Sequence, residues 1–151
     1  MQSLSIPIDS IDAFVFDFDG VLTNNLVHLD QDGREHVSCS RADGIAFDLL
    51  RKIQKPAYIL STEKNSVVTA RANKLKILAI QGIANKVEAI KQLAEQEGFL
   101  LSNILYVGND LNDYRIMRLC GYTACPADSH EKIKEIANII LKTEGGKGVV
   151  R

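Results

Sequence analysis

Short, β-prone apolar runs separated by amphipathic stretches constrain this chain more than any other feature. Ala13-Phe14-Val15-Phe16, Ala57-Tyr58-Ile59-Leu60 and Ile104-Leu105-Tyr106-Val107 are apolar throughout, as strands buried on both faces must be. Between them, apolar residues recur at helical spacing: Val87, Ile90, Leu93 and Ala94 lie within Lys86 to Glu97, which Gly98 stops. This alternation predicts an α/β domain with a mostly parallel sheet. The pattern further predicts a hairpin closed on Asp32-Gly33 between Leu26–Leu29 and Glu35–Ser38. After it comes a helix N-capped by Asp43 that carries Ile45, Phe47, Leu49, Leu50 and Ile53 and is ended by Pro56. Helices over 66–75, 112–119 and 129–137 and strand-sized runs at 78–80, 122–124 and 139–141 complete the reading. The closing Gly145-Gly146-Lys147-Gly148 stretch reads as a flexible tail. It is not a nucleotide loop, since no strand precedes it and no Ser, Thr or helix follows its lysine.

Composition narrows the class. At 151 residues the chain fits one domain, 1–151, able to bury its own core. A net charge of −1 without a basic block argues against nucleic acid or an anionic membrane surface as partner. No run approaches the roughly 20 apolar residues that span a bilayer. The N-terminal MQSLSIPIDSID lacks the basic and apolar regions of an export signal. Cys39, Cys120 and Cys125 are an odd number without C-x-x-C spacing, which suits a reducing compartment better than a disulfide framework. A cytoplasmic location is expected.

In parallel sheets, ligands bind beyond the carboxyl ends of the strands. Those ends carry Asp17 and Asp19 after the first strand and Ser61 and Thr62 after the second. Asn109, Asp110 and Asp113 follow the fourth, with Lys86 opening a helix. Two acids one residue apart on a turn can serve one metal, the second through its backbone carbonyl. The Asp19 side chain is then left for acid–base work, and Gly20 permits the sharp turn.

Phe16-Asp17-Phe18-Asp19-Gly20-Val21-Leu22-Thr23 resembles the first motif of the haloacid dehalogenase superfamily. Ser61 stands where that family has its phosphate-binding Ser or Thr, and Lys86 where it has its lysine. Gly108-Asn109-Asp110-Leu111-Asn112-Asp113 stands where it has an acidic metal loop. The hairpin over about 24–40, Ala42-Asp43-Gly44 and the glycine-rich tail resemble the capless branch of 3-deoxy-manno-octulosonate 8-phosphate and nonulosonate 9-phosphate phosphatases. The resemblance implies a Rossmann-like three-layer sandwich without a cap domain, assembled as a homotetramer.

It also implies a Mg²⁺-dependent aspartyl-phosphate mechanism. Asp17 is expected as nucleophile and Asp19 as acid and base, with Ser61, Thr62 and Lys86 on the phosphate. Asp17, Asp19, Asn109, Asp110 and Asp113 are the expected metal set. Like charges ~4 Å apart repel by roughly 4 kcal/mol at an effective dielectric of about 20, so a carboxylate attacking a phosphate needs a cation. Asn109 departs from the family's usual Asp; its carboxamide oxygen can ligate but brings no charge. Thr62-Glu63-Lys64 departs from the Thr-Gly-Arg common in the octulosonate enzymes. Glu63, Arg71 and Lys74 resemble the nonulosonate pattern instead, and a convergent Arg and Lys suit a sugar carboxylate. A nine-carbon nonulosonate phosphate is therefore the expected substrate and octulosonate 8-phosphate the alternative. A non-catalytic phosphatase-like module of sugar-nucleotide synthesis and a phospho-receiver domain are the rival classes. In a receiver, however, the phosphoacceptor lies on a middle strand of the chain order, not on the first.

Overall fold

β1 (Ala13–Phe16) lies inside a six-stranded sheet in a computed structural model that describes residues 5–151. Its neighbours are β4 (Ala57–Leu60) on one side and β6 (Ile104–Val107) on the other, and beyond them come β5 (Leu78–Ile80), β7 (Tyr122–Cys125) and β8 (Ile139–Ile140). All pairings within this sheet are parallel. The strand order is β5-β4-β1-β6-β7-β8, so the chain reverses direction between β1 and β6. That is the place where an open α/β sheet leaves a crevice for a ligand.

Alternation along each strand builds two cores. Val15, Leu60 and Tyr106 face one cluster with Ile90, Leu93, Ile116 and Ile133. Those partners come from α3 (Lys86–Glu97), α4 (Tyr114–Leu119) and α5 (Glu131–Ile136). Phe16, Ile59 and Leu105 face the opposite cluster with Phe47 and Val68, from α1 (Ala42–Lys52) and α2 (Val67–Leu75). The Phe16 and Phe47 rings meet edge-on at 5.4 Å. Helices on both faces give the expected three layers. The hairpin is β2 (His28–Leu29) with β3 (Glu35–His36), closed where Gly33 takes φ +78° and the Asp30 carboxylate accepts from the Asp32 and Arg34 amides.

The structure corrects four local expectations. Asp43 is not an N-cap: it lies inside the first turn of α1, fully buried, and its Oδ1 accepts from the Val150 amide at 3.1 Å. α1 stops at Lys52, short of Pro56, with Gln54 in the left-handed region at φ +58°. The helix expected over 112–119 begins as a 3-10 turn, Leu111–Asp113, before α4. The tail is not loose, because Val149 is buried and the Gly146 amide donates to the Val21 carbonyl at 3.0 Å.

Candidate active site

Asp17 leaves the end of β1 with its amide donating to the Val107 carbonyl at 2.9 Å, which ties its backbone to β6. Its side chain is buried, and Oδ1 accepts from the Phe18 amide at 2.7 Å and from Lys86 Nζ at 3.0 Å. Lys86 is delivered by the first turn of α3. Asn85 caps that turn, its side chain accepting from the Val87 and Glu88 amides at 3.0 and 3.2 Å.

Behind Lys86 sits Asp113. Its Oδ1 accepts from Lys86 Nζ and from the Tyr106 hydroxyl, each at 2.7 Å. Its Oδ2 accepts from the Asn109 amide at 2.9 Å and the Asp110 amide at 3.4 Å. Both oxygens are occupied and the residue is fully buried, so Asp113 anchors the lysine and the loop. To serve as the metal ligand expected from the sequence, Asp113 would have to give up one of these bonds. Tyr106 had no sequence signal beyond lying on a buried strand; its hydroxyl also lies 3.2 Å from Lys86 Nζ.

One ammonium between two buried carboxylates leaves excess negative charge. Burial, and then the neighbouring Asp113 charge, push the Asp17 carboxyl up to about 8 against the opposing pull of Lys86. Burial alone would lower the Lys86 pKa, but the charges of Asp17 and Asp113 outweigh it and the net shift is upward. Asp19, half-buried, is raised first by desolvation and then by the Glu63 charge.

The Asn109 carboxamide faces this group. The end turned toward Asp17 lies 3.3 Å from Asp17 Oδ2 and 2.9 Å from the Asp19 carbonyl oxygen. With its NH₂ turned inward the amide donates to both; with its oxygen inward, three oxygens face one another. Oxygens held at right angles ~2.1 Å from a Mg²⁺ lie ~3.0 Å apart, so this set fits a hard divalent cation. Among the described residues no three His, Cys, Asp or Glu side chains gather as a metal cluster. The fit therefore rests on one carboxylate, one backbone carbonyl and one carboxamide. Gly20, at φ +82°, allows this approach, since a Cβ there would overlap the Asn109 side chain.

A cavity of about 340 Å³ opens on Asp17, Asp19, Thr62, Asn109 and Asp110, and also on Asn25. Asn25 takes φ +66°, a conformation non-glycine residues adopt sparingly; sequence reasoning missed it because an isolated Asn after a turn carries no mark. Ser61, the residue before Thr62, is buried and does not line the cavity; its Oγ accepts from the Glu63 amide at 3.1 Å. The Glu63 carboxylate is engaged locally by the Lys64 and Asn65 amides at 2.8 Å each. Arg71 and Lys74 are not brought to Asp17. They line a separate cavity of about 580 Å³ with Arg41, Cys39 and His36, between the hairpin, α1 and α2. Arg71 donates to the Ser40 carbonyl there at 2.9 Å.

Comparisons with known proteins place this geometry. A Streptomyces avermitilis structure assigned to the HAD family of hydrolases superposes with a TM-score of 0.94 at 43% identity, covering 97% of this chain and 84% of that one. The 3-deoxy-D-manno-octulosonate 8-phosphate phosphatase from Moraxella catarrhalis, solved with magnesium ion, phosphate ion and KDO, superposes at 0.89 with 27% identity. That match covers 93% of this chain and 82% of the other. The Escherichia coli K12 enzyme of the same name is 29% identical over 144 residues, 95% of this chain and 77% of its own length. Residues 40–151 match the haloacid dehalogenase-like hydrolases, and with that match and these relatives the chain belongs to that family of hydrolases.

Proposed function

We propose that this hydrolase is a Mg²⁺-dependent phosphomonoesterase for a 2-keto-3-deoxy sugar-acid phosphate, working through a phosphorylated Asp17. The observation that carries the reading is the convergence of Asp17 Oδ2, the Asp19 carbonyl and the Asn109 carboxamide beside a buried lysine. A divalent cation bound there supplies the positive charge that lets a carboxylate approach a phosphate. Lys86, held by Asp113 and Tyr106, directs its ammonium at the nucleophile and the phosphate oxygens. Ser61 and Thr62, at the end of β4, offer hydroxyls to the same oxygens. Asp19, its carboxyl raised by burial and by Glu63, protonates the leaving alcohol and then takes a proton from the water that hydrolyses the aspartyl phosphate. Asp17, Asp19 and Asn109 form the proposed metal set. Asp110, whose carboxylate caps the 3-10 turn by accepting from the Leu111 amide at 2.7 Å, reaches the same cavity and completes the set.

The nine-carbon nonulosonate 9-phosphate is the favoured substrate. Glu63 in place of glycine, with Arg71 and Lys74 on one face of α2, supports it. Octulosonate 8-phosphate is the second reading, favoured by the names of the relatives. Arg71 and Lys74 line their own cavity beside the hairpin, where a neighbouring subunit of the proposed homotetramer would bring a substrate carboxylate to them. A cytoplasmic setting accords with the three free cysteines. Among the described residues no helix is long and apolar enough to cross a membrane.

Steady-state kinetics on both sugar-acid phosphates, titrated with Mg²⁺, test the reading. Turnover that requires Mg²⁺, vanishes in Asp17→Asn and is more efficient on the nine-carbon ester is the expected result. Preference for the eight-carbon ester replaces the substrate, and no turnover at any Mg²⁺ concentration leaves the non-catalytic module.

A further inference from the structure

The glycine-rich segment has no role in the reading above, yet it is pressed against the back of the turn that carries Asp19. A Cβ on Gly145 would overlap the Gly20 carbonyl and lie 2.9 Å from the Thr23 carbonyl oxygen. Gly146 is at φ +75°, and a Cβ there would lie 2.7 Å from the Thr23 carbonyl carbon. Two backbones meet here more closely than any side chain permits. The contact is also bonded, since the Gly146 amide donates to the Val21 carbonyl at 3.0 Å.

Both ends of the segment are tied. Upstream, the Gly145 amide donates to Asp128 Oδ1 at 2.9 Å, and the Ala127 amide to the Thr143 carbonyl at 3.0 Å. Downstream, Val149 is buried in the cluster that holds Phe16, Phe18 and Phe47, and the Val150 amide donates to the buried Asp43 carboxylate. The segment thus spans from the loop after β7, across the turn after β1, to the first turn of α1.

We propose that residues 143–150 are a positioning strap that fixes the Asp19 turn, and so the proton donor, relative to Asp17. The inference rests on the phosphatase reading, in which Asp19 protonates the leaving alcohol. Gly145→Ala forces the Gly20 carbonyl to move, while Asp17 stays bonded to β6. An error of about 1 Å in a reacting group can cost on the order of 10²-fold. The loss should depend on the leaving group: an alkoxide needs the proton, whereas nitrophenolate leaves without it.

The test compares kcat/KM of the parent and Gly145→Ala on p-nitrophenyl phosphate and on the preferred sugar-acid phosphate, each protein at its own saturating Mg²⁺ concentration, because the same turn carries the Asp19 carbonyl of the proposed metal set. This parameter reports the step that phosphorylates Asp17. The expected result is a fall of tenfold or more on the sugar ester with p-nitrophenyl phosphate within about threefold of parent. Lys147→Ala, which removes an exposed side chain paired with Glu144, should match the parent on both esters. An equal fall on both esters, or none on either, overturns the proposal. If Gly145→Ala does not fold, Asp43→Ala, which removes the tail's acceptor, is held to the same criterion, with Asp43→Asn restoring the sugar-ester rate. A parent inactive on both esters overturns the phosphatase reading alone. Amide exchange at residues 20–24 then decides the strap: it should quicken at least tenfold in the variant while β6 is unchanged, and unchanged exchange would overturn the strap.

Discussion

Asn109 shows how one atom type sets the balance at this site. Its carboxamide meets Asp17 Oδ2 and the Asp19 carbonyl, and can present either hydrogens or an oxygen to them. With hydrogens inward the amide occupies the two oxygens itself, so a cation must displace those bonds before it is ligated. An aspartate there has no such alternative and adds a charge. Asn109→Asp should lower the Mg²⁺ concentration for half-saturation by on the order of tenfold, a size typical of changes at a ligand's surroundings. The rise of melting temperature with added Mg²⁺ measures this independently of turnover, since a ligand bound only to the native state stabilises it. An unchanged Mg²⁺ dependence would show that the amide does not compete. The acids of this loop illustrate what sequence can and cannot tell. That Asp17 and Lys86 meet at one edge of the sheet was legible, because one follows a buried strand and the other opens a helix. The bonds of Asp113 to Lys86, Tyr106 and two amides were not, because an acid that binds metal and one that binds a lysine, a tyrosine and two amides look identical in sequence.

At the scale of elements, β1, β4, β6 and α3 were legible to the residue because apolar runs and a capped helical repeat coincide with their ends. The first turn of α1 was not. Asp43 in front of an apolar helix reads as a cap, but the helix starts one residue earlier and the carboxylate turns inward to hold residue 150. A contact spanning over a hundred residues of sequence leaves no local trace. The arrangement has a pH consequence. Burial raises the Asp43 pKa despite the Val150 and Arg151 amides and the Arg71 charge, which lower it. The native state therefore binds more protons than the unfolded chain between the ordinary carboxylate value of about 3.9 and the raised one. Stability from this group is fully present below about pH 3.9 and is lost as pH rises through the native value. Asp43→Asn keeps an acceptor for the Val150 amide and has no proton to lose. Urea midpoints of the two proteins should diverge with rising pH, the parent losing ground to the variant above about pH 4. Parallel curves would mean that the Asp43 charge is better compensated than its burial implies.

For the whole molecule, the apolar residues that the fold leaves outside are as informative as those it buries. On α1, Phe47 points into the core while Ile45 and Leu49, with Ile53 just past the helix end, are 66, 59 and 45% exposed. On the hairpin, Leu26, Val27 and Leu29 are 68, 54 and 63% exposed. Helical periodicity marked Ile45, Phe47, Leu49 and Ile53 as one apolar set without telling which of them face the sheet, because spacing gives the set and not the face that is packed. Single exposed apolar residues are ordinary, but two groups on neighbouring segments of one chain are what the proposed homotetramer would need to cover. A further copy of this chain is the partner the proposed function calls for, and the cavity holding Arg71 and Lys74 lies between these same elements. Light scattering coupled to size exclusion should give a tetramer for the parent and a smaller species for Leu29→Asp combined with Leu49→Asp. Each side chain removed from such a contact forfeits roughly 1.5–3 kcal/mol of burial. The variant should keep its turnover of p-nitrophenyl phosphate, for which the proposed Asp17 site draws on one chain, and lose efficiency on the sugar-acid phosphate. A tetramer that survives both substitutions would move the interface elsewhere. A monomer with undiminished sugar-ester turnover would separate substrate choice from assembly.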